Sequence, residues 1–421
     1  METKRTSPGA WVVRAVALAG MLTIVYRFWR GLGAATNLND GYPWGLWVTV
    51  DILAGVALAA GGFVIAGTVH LFGGKKYESL ARPAILTAFL GYLLFAFGLI
   101  VDLGRPWNLF NIMLFGNHES PLYEIGWCAF LYTIVLFLEL LPAVFEKFSW
   151  GRVKAFYLKT SPWVVIVLLT VFAAAMTRST AWTLVIAGIL LGWELLMETG
   201  VMPRDTQTPI LLIMAGVIFS FLHQSSLGTL YLMMATKLDP LWYTPVLPIF
   251  FFISAVLAGV SMVALEAIAA EKFLRHPVDL APITTLVAKM PLALGLYILL
   301  KLEDLASRNV AGELFQFTLP AAAWWLEIGL GAILPLFLFL KRDFIKKRGG
   351  LALICGLVVL GLLINRTNVS LTGITVPRWE PYYPRWSEWL VTAGILCMGF
   401  LAYDWLTVRL PIISVKRAVA A

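Results

Sequence analysis

Apolar residues recur along this chain in long unbroken runs, without the alternating or helical-period rhythm of a half-buried soluble element. Trp11 to Tyr26 is apolar apart from Arg14, and similar runs cover 45–72, 83–104, 121–146, 161–178, 180–199, 207–230, 244–271, 282–305, 318–340, 350–368 and 387–410. Most have the roughly twenty residues needed to cross a hydrocarbon layer about 30 Å thick. The pattern predicts an all-α polytopic membrane protein, a helical bundle of about 12 transmembrane helices in a single integral membrane domain spanning 1–421. Within it, Met176-Thr177-Arg178-Ser179-Thr180 leaves little room for a turn, so 161–199 reads as a helical hairpin that spans poorly. If that hairpin does not span, about 10 helices remain. The first run looks like a signal peptide, but Arg27 and Arg30 follow it at once and no small-residue cleavage site is flanked correctly. It is read as a retained signal-anchor helix.

Composition agrees with this class. The chain is 60% hydrophobic and 13% charged, with 17 Trp, 26 Phe and a mean hydropathy of +0.83, too apolar for a soluble core to hide. The net charge of +8 suggests an anionic partner only until the basic residues are placed. One set of alternate connections carries most of them, including Lys75, Lys76, Lys147, Arg152, Lys154, Lys341, Lys346 and Lys347. By the positive-inside rule those connections, and both termini with them, are expected in the cytoplasm. Lys and Arg thus mark a membrane orientation and give no reason to invoke nucleic acid.

The opposite connections differ in kind. Thr36 to Trp47, Gly104 to Leu122, Lys237 to Pro245 and Thr372 to Trp389 are rich in Gly, Pro, Trp and Asn. Any single Trp or Tyr there suits an interfacial belt. Their concentration on one face suits a docking surface.

Ionisable residues inside apolar runs are costly and normally face the bundle interior, pair with one another or line a path. Depth along each run sorts them into an outer layer, Asp51, Asp102, Arg105, Glu124, His223, Lys301, Glu303, Asp304 and Arg366, with Glu327 deeper, and an inner layer of Glu139, Glu194, Glu198, Glu266, Lys289 and Asp404. Asp102 and Arg105 close one run three residues apart, as an ion pair or as part of a polar pocket. Lys301, Glu303, Asp304 and Glu119 read as solvated helix ends or loop residues. A pocket near the membrane surface suits a quinone, whose reduction needs hydrogen bonds at two carbonyl oxygens, a proton donor and an apolar trough. Asp51, Asp102, Glu124 and His223 offer the titratable groups, and Trp44, Trp47, Trp107 and Trp127 offer ring walls. The inner carboxylates Glu139, Glu194 and Glu266, with Glu327, are candidates for a proton path.

Other cofactors find little support. Cys128, Cys355 and Cys397 lie in apolar runs without a Cys-x-x-Cys pair or a Cys/His cluster, so no metal site is predicted. Of the four histidines only His223 is embedded, His70 closing a run and His118 and His276 lying in connections, so no bis-histidine haem is expected. No glycine-rich loop follows a strand, which leaves flavin and nicotinamide unsupported.

Three stretches carry a family resemblance. These are Asn37-Leu38-Asn39-Asp40-Gly41-Tyr42-Pro43-Trp44-Gly45-Leu46-Trp47 leading into Asp51, then Asp102-Leu103-Gly104-Arg105-Pro106-Trp107-Asn108-Leu109, then His223-Gln224-Ser225-Ser226-Leu227-Gly228 followed by Asp239-Pro240-Leu241-Trp242. Together they resemble the HybB-type membrane subunit of the NrfD-like (polysulfide reductase membrane subunit) family, and the likeness runs from the first helix to Tyr382-Tyr383-Pro384-Arg385-Trp386. Only the region around 160–200 departs, as an addition to shorter ten-helix members. The resemblance implies a quinone-reactive electron-transfer subunit in a bacterial or archaeal cytoplasmic membrane. It would anchor a periplasmic catalytic redox subunit, a nickel-iron hydrogenase in the nearest case, through a ferredoxin-like iron-sulfur subunit. Menaquinone or ubiquinone would be the substrate, with no haem, flavin or metal in this chain. The resemblance carries pocket or proton-transfer roles onto Asp102, Arg105 and His223, and depth alone adds Asp51 and Glu124; with Trp44, Asn108 and Gln224 these make the candidate quinone pocket, Asp102, His223 and Glu124 serving proton transfer. Two other readings stay open, a proton-coupled secondary transporter and a passive membrane anchor.

Overall fold

The computed structural model describes residues 8–42, 44–200, 210–273, 280–375 and 382–412. Among these described residues the helices are long and apolar enough to cross a membrane at twelve places: α1 (Gly9–Arg30), α2 (Val48–His70), α3 (Lys75–Asp102), α4 (Pro121–Lys147), α5 (Gly151–Thr177), α6 (Thr180–Glu198), α7 (Ile210–Leu232), α8 (Leu247–Glu271), α9 (Ala281–Ser307), α10 (Leu319–Phe339), α11 (Arg348–Thr372) and α12 (Trp386–Arg409). The only β pairing among the described residues is an isolated antiparallel bridge, Leu238 with Ile374. This is the all-α, multi-pass architecture that the hydropathy pattern predicts.

α2, α3, α4 and α7 form one packed group and α8, α9, α10 and α11 a second, joined where α2 lies against α8 and α11. α1 runs along α12 beside α3, and the α5–α6 pair flanks α4 and α7. Lipid supplies no hydrophobic drive between helices, so close backbone approach matters. Gly20 crosses Gly394, Gly61 crosses Gly259 and Gly331 crosses Gly361, and a Cβ on the first of each pair would lie 2.4–2.6 Å from the opposing helix. These three crossings seat α1 on α12, α2 on α8 and α10 on α11.

Two helices begin earlier than their apolar runs. α3 starts at Lys75, ahead of the expected 83, with Pro83 inside it, and α5 starts at Gly151, ahead of 161, with Pro162 inside it. Hydropathy registers only the lipid-facing part, whereas the first turns of both helices carry charge. Glu146 binds Arg82 and Lys154, each at 2.8 Å, and holds those turns together. The short 176–180 turn works because Arg178 takes a left-handed conformation, φ 47°, and Ser179 caps α6 through the Trp182 amide. A residue in that region ends one helix abruptly, so the next can start at once.

The connections fall on two faces. On one, Asn37 Nδ2 donates to the Tyr383 carbonyl at 2.9 Å, Thr375 N to the Lys237 carbonyl at 2.7 Å, and Arg308 Nη1 to the Pro240 and Tyr243 carbonyls at 2.8 and 2.9 Å. This aromatic face is cross-braced by its own loops. On the other, basic face, Arg82 binds the Pro411 carbonyl and Arg348 pairs with Glu271 at 2.6 Å. Of the basic residues used to infer orientation, Lys4, Arg5, Arg204, Arg275, Lys416 and Arg417 lie outside the described residues, as does Arg378 of the aromatic face.

Candidate functional site: a lateral groove and a polar seam

α2 opens with a π-helical turn, Val48–Ala54, that contains Asp51. Such wide turns are rare and re-aim the side chains they carry. Asp51 is buried, and its Oδ2 accepts from Thr392 Oγ1 at 2.9 Å while its Oδ1 has no partner. Room for the carboxyl comes from Gly98 on α3, where a Cβ would lie 3.2 Å from that of Asp51.

Below Asp51 lies a cavity of about 400 Å³ between α2, α3, α8 and α12. It exists because the facing residues are short, Gly55 and Ala59 on α2, Gly91 on α3 and Gly399 on α12. Leu58, Leu90, Leu94, Met262, Leu265 and Ile395 complete an apolar lining. Leu396 and Phe400 on its rim are 54% and 47% exposed, so the groove opens sideways, toward lipid. Its far end holds Thr87, whose Oγ1 donates to Glu266 Oε2 at 2.7 Å, and Tyr403. A pocket of several hundred cubic ångströms, mostly apolar with a few polar groups, has the character of a small-molecule site.

Asp102 ends α3 on the aromatic-face side of Asp51 and is within electrostatic reach of it. The cation that approaches Asp102 is Arg27 of α1. Arg27 is buried, donates from Nη2 to the Leu103 carbonyl at 2.5 Å and stacks over Phe28 at 4.6 Å. Asp102 Oδ1 and Arg27 Nε are left without partners. Arg105 forms no ion pair with Asp102 and, with Trp107 and Asn108, is exposed on the aromatic face. Nearby Glu388 is buried and fully engaged, accepting from Tyr382 Oη and from the Asn37 and Arg385 amides at 2.9 and 3.0 Å. Burial, then the bond to Glu388, push the Tyr382 phenol above its ordinary pKa, so it stays a donor.

The remaining expected residues meet elsewhere, around α7. His223 is fully buried, its ring edge-on to Tyr92 at 5.3 Å and Phe95 at 5.4 Å, with neither nitrogen hydrogen-bonded. Gln224 Nε2 donates to the Val56 carbonyl at 2.9 Å. Trp44 packs edge-on to Tyr231 at 5.6 Å, and Glu124 approaches Ser226. His223 and Glu124, with Tyr132 and Ser220, make a polar seam between α3, α4 and α7, while Gln224 and Trp44 tie α7 to α2 and its leading loop. The expected residues thus divide into two interior groups, Asp51 with Asp102 on one side and Trp44, Glu124, His223 and Gln224 on the other, with Arg105 and Asn108 at the surface.

One expectation is corrected. Lys301 and Asp304 are not solvated helix ends; they are 6% and 7% exposed, whereas Glu303 and Glu119 are indeed exposed. Lys301 pairs with Glu327, which also accepts from Asn365 at 2.8 Å, Asn368 at 3.0 Å and Trp242 Nε1 at 3.0 Å. Arg366 donates to Asn365 Oδ1 at 2.6 Å and to the Phe251 carbonyl and Ser254 Oγ at 3.1 Å. Asp304 accepts from Thr244 at 2.5 Å and from Arg308 at 2.7 Å. Low hydropathy near the end of α9 resembles solvent exposure in a one-dimensional reading. The folded connection 233–246 covers it.

The groove, the seam and the twelve spans define a multi-pass membrane protein with polar sites buried inside its bundle. The family model described as polysulphide reductase, NrfD, matches residues 34–377, and the chain belongs to that family. It is 32% identical over 418 residues to a protein of Nitratidesulfovibrio vulgaris (strain Hildenborough) that bears no functional name, covering 97% of this chain and 95% of that one. It is 28% identical over 398 residues to the probable Ni/Fe-hydrogenase 2 b-type cytochrome subunit of Escherichia coli K12, covering 93% and 89%. It is 24% identical over 400 residues to the menaquinone reductase integral membrane subunit of N. vulgaris, covering 89% and 83%.

Proposed function

We propose that this chain is the quinone-reactive membrane subunit of a redox complex, passing electrons between an iron-sulfur partner and the quinone pool with coupled proton transfer. The observation that carries this reading is the groove. It offers about 400 Å³ of apolar space open to lipid, closed at the end nearer the aromatic face by a buried carboxyl with a free oxygen. A quinone ring seated at Asp51 with its isoprenoid tail along the groove matches that distribution. The names of two relatives, a hydrogenase subunit and a menaquinone reductase subunit, support the same class of chemistry.

Reduction of the ring takes up two electrons and two protons. Electrons come from the partner, for which the braced aromatic face, with Arg105, Trp107 and Asn108 exposed, is the proposed dock. That partner is a ferredoxin-like iron-sulfur subunit carrying a catalytic redox subunit, with hydrogenase the leading candidate. Asp51 hands the two protons to the ring in turn, and Asp102, one step nearer the aromatic face, reprotonates it after each. In the seam, His223 and Glu124 are proposed as further proton-transfer groups, with Gln224 and Trp44 fixing α7 against α2 and its leading loop. Menaquinone or ubiquinone fits equally.

The orientation follows the basic face, so the aromatic face is periplasmic and both termini cytoplasmic. Reporter fusions at the C-terminus test it, and an outward-facing reporter overturns it. His223 faces Tyr92 and Phe95, His118 is exposed in a connection, His70 closes α2 at the basic face and His276 lies outside the described residues, so the described residues do not fit a pair of axial imidazoles.

Quinone reduction by the assembled complex is the test. Asp51→Asn should lower turnover about 100-fold, the usual scale for losing a general acid, with assembly intact. Unchanged turnover in both Asp51→Asn and Asp102→Asn would remove the quinone ring from this end of the groove.

A further inference from the structure

The groove has a second polar end. Thr87, Glu266 and Tyr403 line it on the side of the basic face, and Glu266 Oε2 accepts from Thr87 Oγ1 at 2.7 Å. Asp51 sits against Gly98 and Glu266 is bonded to Thr87, eleven residues earlier on the same helix. That spacing sets the two carboxyls roughly 16 Å apart along α3, at 1.5 Å per residue. Apolar side chains and glycines fill the interval.

Among the described residues no Lys, Arg or His lines the groove. A phosphate or other anionic headgroup brought to either end would meet a carboxyl and no cation to neutralise it, a costly arrangement in lipid. A neutral ring bearing carbonyl or hydroxyl oxygens meets the opposite situation. Tyr403 offers a phenolic donor, and Glu266 keeps Oε1 for an added hydrogen bond. An intramembrane carboxyl, a phenol and a hydroxyl at one end of an apolar channel are suited to a quinone or quinol ring.

We propose that Thr87, Glu266 and Tyr403 form a second headgroup station for the same neutral quinone, at the opposite end of the groove from Asp51. The proposal rests on the quinone reading above and adds a site to it. One molecule at a time occupies the groove, its ring at either end and its tail leaving past Leu396 and Phe400. The second station requires no chemistry. It holds the ring by hydrogen bonds.

A photoreactive azido-quinone, added to the full complex in detergent and mapped by peptide mass spectrometry, tests this. Labels are expected in two clusters, one around Asp51 and Ile395 and one around Glu266, Ala269 and Tyr403. Glu266→Gln combined with Tyr403→Phe should reduce the second cluster about fivefold, the scale of one hydrogen bond, with no loss from the first. Ala269→Phe, which fills that end without touching the polar groups, should remove the second cluster alone. Labelling confined to the Asp51 end overturns the second station and leaves the quinone reading standing. Labelling at neither end overturns both.

Discussion

Two regions of this protein bury charge in different ways. Around Glu327 every carboxylate lone pair is spoken for, by Lys301, Asn365, Asn368 and Trp242, and Arg366 is held by Asn365, Ser254 and a backbone carbonyl, with its Nε alone unpartnered. Around Asp51 and Asp102 each carboxyl keeps an oxygen with no partner, beside a groove. Both regions are interrupted by π-helical turns, at Val48–Ala54 in α2 and at Gly329–Ile333 and Asn368–Thr372 in α10 and α11, so irregular backbone does not separate them. Satisfaction does. A buried carboxylate whose oxygens are all bonded fixes helices in place, whereas a buried carboxyl with a spare oxygen beside open space is available to something else.

The largest expected effect belongs to the bonded region. Lys301→Met leaves Glu327 buried without its cation and should cost about 3–5 kcal/mol, read as loss of monodisperse protein during thermal challenge in detergent. Adding Glu327→Gln should restore much of that, because the isolated charge goes with its partner. If the single substitution is harmless, the network is not what holds α9, α10 and α11 together.

Arg27→Met comes next. It removes a charged hydrogen bond to the Leu103 carbonyl, worth about 1.5–3 kcal/mol, and the cation nearest Asp102. Reduced thermal stability with slowed quinone turnover is expected, and turnover equal to wild type would detach Asp102 from the proposed proton route. His223→Phe sharpens the contrast between groove and seam. It keeps the ring packed on Tyr92 and Phe95 and removes two nitrogens that lack partners, so stability should change by less than about 1 kcal/mol. Turnover should fall, but less than in Asp51→Asn, and a larger fall would shift the quinone ring to the seam. Arg105→Ala is the mildest. The residue is exposed, so stability should move by no more than about 0.5 kcal/mol, while retention of the partner on a column weakens as salt rises.

The spans were legible in the sequence because length and hydropathy are one-dimensional properties, and Thr180–Glu198 emerged as a helix of spanning length despite the tight turn before it. The titratable residues were legible too, since charge inside an apolar run stands out. Their partners were not. Arg27 reads as a residue flanking the first span, yet it reaches the Leu103 carbonyl 76 positions later. Lys301 and Asp304 read as a helix end until Trp242 and Thr244 are folded over them. The groove left only a faint mark, small residues at Gly55, Ala59, Gly91 and Gly399 whose alignment depends on how four helices cross. Glu266 was singled out as an inner carboxylate, but nothing along the chain set it in line with Asp51.

The central claim is that a quinone ring sits at Asp51, and the most direct measurement is a high-resolution cryo-EM map of the assembled complex with its quinone bound. The account expects ring density within hydrogen-bonding distance of Asp51, with the tail running between α8 and α12 past Phe400. Ring density beside His223 between α3, α4 and α7, with only lipid acyl chain in the groove, would contradict it.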